Sequence, residues 1–459
     1  MIRKSLFALV GVTAAMAVSM SSAVAQGSRY VVMYKQAAVP AAAAQQIAAV
    51  GGNLVASLPK VGIAIVSSDR PDFIAAAARM TGVAGVDHDV PWTLPAVVAQ
   101  APLEGPTAAD DLYNGGLVWG VQRVGAPAAW AAGRTGSHST VVAVIDTGIA
   151  WNHPDLAPNV VYADCYTSAG SFADGACNPY PAYSDHGTHV AGTIAAAFGG
   201  GRVVGVGPNL GLAGYNTFEP VPGCGVCAYS SSRWMAMLDA AARGFQVISM
   251  SLGRVGQYGG QGTSDLATFV AAEKRVANAV LKMGTAMVAS AGNEGLDVNG
   301  TLVHVPGDIP GIINVAATGI QPNPRYQPGV SVDIQAFYSN QGAAVTLSAP
   351  GGDCGQIGTC DANRPANWAE YLVLSTIVSP NPFCAATASC AVGYGWKGGT
   401  SMATPHVSAA AGLMFDVNPS LNANAVASIL KDTAESLGDR QVFGQGMLNV
   451  PAAVAASMP

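Results

Sequence analysis

Thr140-Val141-Val142-Ala143-Val144-Ile145-Asp146-Thr147-Gly148 is the stretch on which the fold turns. Its first six residues form an unbroken run rich in β-branched side chains, the pattern of a strand buried on both faces of a parallel sheet. A carboxylate and a turn glycine follow directly. Similar runs lie at 245–250, 286–289, 312–316 and 344–347, and helical patterns at 187–197, 231–243, 266–283, 401–415 and 423–433. Strands alternating with helices predict an α/β fold, a doubly wound, mostly parallel sheet with helices on both faces. Functional groups in such folds collect at the carboxyl ends of the strands.

Upstream the rhythm is the same on a smaller scale. Strand patterns at 29–35, 53–58, 61–67 and 83–87, with helical ones at 40–50 and 71–80, give the order βαββαβ, a small α+β domain. Residues 91–116 then carry Pro91, Pro95, Pro102, Pro106, Gly115 and Gly116, a linker composition. At the very start, Arg3 and Lys4, an apolar stretch at 6–18 and Ala23-Val24-Ala25 read as a secretory signal. The expected division is 1–25 signal, 26–105 small domain and linker, and 106–459 main domain. No later run approaches the ~20 apolar residues of a spanning helix, so the expected product is exported, extracellular or periplasmic, without a membrane anchor.

Of 459 residues only 21 are Lys or Arg, against 27 Asp or Glu, for a net charge of −6. Binding nucleic acid needs clustered cations that displace counterions, so no nucleic-acid partner is expected. Export makes disulfides the natural state of the eight cysteines. Four local pairs, Cys165/Cys177, Cys224/Cys227, Cys354/Cys360 and Cys384/Cys390, are the simplest of the many possible connectivities. Half of a zinc site is the alternative for Cys224 and Cys227, but no second pair with zinc-like spacing follows.

Three segments carry chemistry. Asp146-Thr147-Gly148 could be structural, could orient a histidine, or could belong to an aspartic protease, which would need a second such aspartate. Asp185-His186-Gly187-Thr188-His189 holds two histidines with the wrong spacing for a zincin. Gly399-Thr400-Ser401-Met402-Ala403 sets a serine at the first turn of an apolar helix, where free backbone N–H groups stabilise negative charge. A lipase or esterase is excluded, because its Gly-x-Ser-x-Gly elbow and Ser–Asp–His order are missing.

Taken together, these segments closely resemble the subtilisin-like serine proteases, with Asp146, His186 and Ser401 in the family's order. The resemblance runs from about 118 to 455 and implies a Ser-His-Asp triad, an acyl-enzyme intermediate and polypeptide substrates. It casts Asn293, in Ser290-Ala291-Gly292-Asn293-Glu294-Gly295, as the oxyanion donor. It casts Ser251, Leu252 and Gly253 as the strand that pairs with the substrate backbone, and Ser290, Ala291 and Gly292 as the opposite wall of the primary pocket. Residues 29–90 are similar in element order to the family's propeptide, an intramolecular inhibitor and chaperone removed by self-processing within 89–117. A monomer needing no cofactor for its chemistry is expected. The alternative is a catalytically inactive homologue that binds other proteins.

The sequence departs from the family in four places. Asp155 matches a position that often holds a structural calcium, but the partner loop at 197–202 is Ala-Phe-Gly-Gly-Gly-Arg, short of oxygens and carrying a cation. No metal ligand is therefore assigned. Gly199, Gly201 and Gly205 mimic a nucleotide loop but follow a helix rather than a strand. Residues 212–232, with Cys224 and Cys227, and 354–390, with the last two cysteine pairs, read as insertions that either pin loops or rim the cleft. His304, two residues before Pro306, is either a solvated surface histidine or an imidazole at the base of the primary pocket.

Overall fold

The computed structural model describes residues 28–94, 99–103, 108–257, 266–355, 360–361 and 363–459. The expected signal, 1–25, lies outside them. The main body is built on a nine-stranded sheet. From one edge its strands run Val332–Gln335, Ile312–Gln321, Ala286–Ser290, Val247–Met250, Val141–Asp146, Gly211–Asn216, Val160–Thr167 and Gly170–Ser171, with Leu347–Pro350 also paired to Ile312–Gln321. Pairing is parallel except for Val332–Gln335 and Gly170–Ser171.

The two-residue period of the strands sorts their side chains into two cores. Val142 and Val144 join Val190, Ile194, Ala403 and Val407 from the helices His186–Ala195 and Thr400–Val417. Val141, Ala143 and Ile145 join Trp234, Met237, Val276 and Val280 from the helices Ser230–Ala242 and Leu266–Lys282. Helices thus cover both faces, as the alternating pattern predicts.

Four strands of this sheet were not legible, the short Val332–Gln335 and Gly170–Ser171 at its edges and two longer ones. Gly211–Asn216 lies in the middle of the sheet, yet its sequence Gly-Leu-Ala-Gly-Tyr-Asn lacks β-branched residues and reads as the start of an insertion. Its Gly214 lets Ile149 approach, since an added Cβ would sit 3.1 Å from Ile149 Cγ1. Val160–Thr167 is only half buried and breaks the apolar run with Tyr162, Asp164 and Tyr166. The strand expected at 344–347 lies three residues later, at Leu347–Pro350.

The N-terminal unit is a four-stranded antiparallel sheet in the order Asn53–Leu58, Ile63–Ser68, Ser28–Tyr34, Val83–His88. Tyr30, Val32 and Tyr34 pack with Ile47 and Phe73 from the unit's own two short helices. Val31, Met33, Ile63 and Ile65 face the other way and belong to the same buried cluster as Phe269 and Val270 of the main body. Arg275 closes this contact by donating from Nη1 to the carbonyls of Tyr34 (2.6 Å) and Val61 (3.2 Å).

The stretch read as a linker contains two strands. Pro91–Thr93 pairs antiparallel with Gly225–Tyr229, and Ala99–Leu103 pairs antiparallel with Val392–Gly398. Both are edge additions, where proline is tolerated because one side needs no ladder donor. All four local disulfides are formed, Cys165–Cys177, Cys224–Cys227, Cys354–Cys360 and Cys384–Cys390. No described helix is long and apolar enough to cross a membrane.

Candidate active site

Asp146 closes the strand Val141–Asp146 at its carboxyl end, and His186 opens the helix His186–Ala195. His186 Nδ1 donates to Asp146 Oδ1 and Oδ2 at 2.8 and 2.9 Å, with both side chains buried. The carboxylate also accepts from the Thr147 N–H (2.8 Å), and Thr147 Oγ1 accepts from the Gly187 N–H (2.9 Å). Gly187 has no room for a side chain, because a Cβ would meet Gly148 O at 2.5 Å. These contacts fix the imidazole, and its far nitrogen Nε2 is buried without a hydrogen-bond partner among the described residues. His189, the second histidine of the motif, has a different environment. Its Nε2 bonds the carbonyls of Val373 (3.2 Å) and Gly395 (3.0 Å), and burial holds its pKa well below the ordinary histidine value.

Ser401 is the second residue of the helix Thr400–Val417, which is buried through Phe415. Pro405 sits four residues on and has no N–H, so the Ser401 carbonyl lacks its helical donor. Ser251 Oγ supplies one at 2.8 Å, and Ser401 Oγ in turn donates to the Ser251 carbonyl at 3.1 Å. This reciprocal pair ties the end of the strand Val247–Met250 to the start of the helix.

Asn293 is held by Thr400, a residue the sequence reading passed over. Asn293 Oδ1 accepts from Thr400 N (2.9 Å) and Thr400 Oγ1 (2.8 Å), and the same Oγ1 accepts from the Gly292 N–H (3.2 Å). The Asn293 amide nitrogen lies 3.3 Å from the Cβ position of Gly399, whose other near neighbour is the Ser401 backbone nitrogen at 3.7 Å. The signal was a hydroxyl directly before the serine.

Ser251–Gly253 and Ser290–Gly292 leave the vicinity of Ser401 as two facing walls, joined where Ser290 Oγ donates to the Leu252 carbonyl (3.4 Å). Ser251–Gly253 lies past the end of its sheet strand, and the backbone that adds to the body nearby pairs instead with Gly225–Tyr229. His304, on the strand Leu302–Val305, is 1 % exposed, which rules out the surface reading. Cys224–Cys227 closes the hairpin Glu219–Val221/Gly225–Tyr229, bracing the edge that receives Pro91–Thr93.

The loop beside Asp155 does not fit a hard cation. Asp155 Oδ2 accepts from the N–H groups of Arg202 (3.2 Å) and Val203 (3.4 Å), while the Arg202 guanidinium pairs with Asp111 at 2.7 Å. Backbone amides take up Oδ2, and Oδ1 is buried without a hydrogen-bond partner among the described residues, a single oxygen where a calcium ion wants about six to eight. Burial pushes the Asp155 carboxyl up to about 6. No group of three or more His, Cys, Asp or Glu suited to a metal occurs among the described residues.

Residues 137–446 match the Subtilase family of proteins. Subtilisin from Bacillus pumilus is 32 % identical over 337 residues, covering 73 % of this chain and 98 % of that protein. Fervidolysin from Fervidobacterium pennivorans, a keratinolytic enzyme related to subtilisin, superposes with a TM-score of 0.69 at 22 % identity, over 94 % of this chain and 61 % of its own. The epidermin leader peptide processing serine protease of Staphylococcus aureus gives 0.69 at 21 % identity, over 94 % and 98 %. Those two likenesses concern the fold.

Proposed function

The chain belongs to the subtilase family of serine endopeptidases, and from that premise we propose that it is a secreted endopeptidase made as a self-processing zymogen, with Asp146, His186 and Ser401 as its triad. The observation that carries the reading is the buried Asp146–His186 pair with an unpartnered Nε2. A base oriented by a carboxylate, with its reactive nitrogen kept free of other partners, is what nucleophilic acyl transfer requires. Turning the Ser401 hydroxyl from the Ser251 carbonyl toward Nε2 completes the relay. His186 then takes the proton as Oγ attacks the scissile carbonyl, and Asp146 stabilises the cation that forms. The tetrahedral oxyanion is bound by the Asn293 amide and the Ser401 N–H; it collapses to the acyl-enzyme as the C–N bond breaks and His186 returns its proton to the leaving amine, and water, deprotonated by His186, then releases the acid and regenerates the serine hydroxyl.

We read residues 26–105 as propeptide and linker. Support comes from the borrowed cover of the small sheet and from the two edge strands, one on Gly225–Tyr229 and one on Val392–Gly398, the strand that leads into Ser401. On this reading the processing point falls between Thr93 and Ala99. A fluorophosphonate probe tests the function. Labelling of Ser401 together with casein hydrolysis is expected; a folded protein that takes no label would be an inactive homologue.

A further inference from the structure

An imidazole stands between the two walls beside Ser401. The edge of the His304 ring bridges the two walls beside Ser401: a Cβ added to Gly253 would lie 2.3 Å from His304 Cε1 and 2.8 Å from Nε2, and one added to Gly292 would lie 2.7 Å from Cδ2. Nε2 is the atom between Cε1 and Cδ2, so it lies buried between the two walls. Neither ring nitrogen has a hydrogen-bond partner among the described residues, although the residue is 1 % exposed. An unsatisfied polar group buried this deeply is costly, and its position between the two walls beside Ser401 gives it a use.

We infer that His304 is the floor of the pocket that receives the side chain on the acyl side of the scissile bond, and that it makes this pocket shallow, selecting short uncharged residues such as alanine and serine. The inference rests on the proteolytic reading of the site. Three observations fix the class. The imidazole occupies volume that a long side chain would need, so leucine or phenylalanine cannot seat fully. The charged groups around it are acidic: Asp308 Oδ2 accepts from the His304 N–H (2.6 Å), and Glu294 Oε2 lies 2.6 Å from the Cβ position of Gly292. On the partner strand Arg254–Gln257, Arg254 opposes Val305 rather than His304, and its guanidinium is turned over the Trp92 ring (5.7 Å). Burial holds the imidazole at about 4, so the floor is neutral at working pH and offers no cation to a carboxylate. A serine hydroxyl can bond Nε2, and alanine leaves it covered.

The test is a panel of peptides differing only at that residue, cleaved by mature enzyme whose active sites are counted with a fluorophosphonate. Wild type is expected to favour alanine and serine over phenylalanine, leucine and glutamate by at least about 10-fold in kcat/KM, the scale on which a pocket discriminates by size. His304→Gly is expected to raise phenylalanine and leucine relative to alanine by at least about 10-fold. A wild type that prefers phenylalanine or leucine overturns the inference, and this arm needs no variant to fold. So does a folded His304→Gly with an unchanged profile. A protein that takes no probe and cleaves no peptide instead contradicts the proteolytic reading itself, and the inference falls with it.

Discussion

The two sheets of this molecule solve the same burial problem differently. The main sheet carries its own helices on both faces, so residues of alternate parity in Val141–Asp146 are covered from within the same domain. The N-terminal sheet carries helices on one face only, and its other face, with Val31, Met33, Ile63 and Ile65, is covered by the helix Leu266–Lys282 and its neighbours. A self-sufficient sheet can hold reacting groups at its strand ends to within tenths of an ångström. A sheet that borrows half its cover depends on the body it docks against for that burial, which fits the removable segment proposed above.

The largest effect expected follows from the self-sufficient side. His186→Ala should lower kcat by on the order of 10⁶-fold, the size found when a triad member that acts as a unit is removed, with the melting temperature little changed; single-turnover kinetics measures it. Asn293→Ala should lower kcat by about 10²–10³-fold at nearly constant KM, since it removes one oxyanion donor. An equal rise in KM would instead mean that Asn293 binds substrate in the ground state.

On the borrowed side, Asp89 is the group to change. Its carboxylate accepts from Ser231 N–H (3.1 Å) and Ser231 Oγ at the start of the helix Ser230–Ala242, and Arg29 Nε donates to it at 3.3 Å. Asp89→Ala strands a buried guanidinium and uncaps that helix, together worth a few kcal/mol. Maturation is expected to slow by at least about 10-fold, while the mature enzyme, once formed, keeps wild-type kcat. Equal loss in both would erase the contrast between the sheets.

A smaller effect concerns acid. His153 Nε2 donates to Gly393 O (2.9 Å) and its Nδ1 accepts from the Asp155 N–H (3.2 Å); burial holds its pKa at about 4. A histidine depressed on folding contributes stability that is full above its unfolded value of about 6.5 and is lost as pH falls toward 4. Asp155, raised to about 6 by burial, works in the opposite direction over nearly the same window. His153→Gln should therefore flatten the loss of denaturant midpoint between pH 6.5 and 4, while Asp155→Asn should steepen it. The smallest expected effect is that of EDTA, a change in melting temperature under about 2 °C. A large loss would mean that a cation, not the amides of Arg202 and Val203, holds the Asp155 loop.

What the sequence disclosed followed chemistry that needs particular residues. Asp146, His186, Asn293 and Ser401 each sit in short motifs with no substitute, and the buried parallel strands announce themselves by β-branched runs. Strand Gly211–Asn216 escaped because its place in the sheet depends on close packing against Ile149, which favours glycine over the usual strand formers. The strands at Pro91–Thr93 and Ala99–Leu103 escaped because edge pairing is set by the partner rather than by composition. Thr400 was illegible as to role, and His304 stayed between two readings, for the same reason: each acts through a neighbour about a hundred or fewer residues away that only the fold brings near.

The claim that binds both sheets together is that Ser401 cuts its own chain between them. Intact-mass measurement of the secreted wild-type and Ser401→Ala proteins tests it directly. The wild-type enzyme is expected to begin between Thr93 and Ala99, and the Ser401→Ala protein to retain the small sheet at full length. A Ser401→Ala chain matured at the same bond, in a host lacking other proteases, would contradict it.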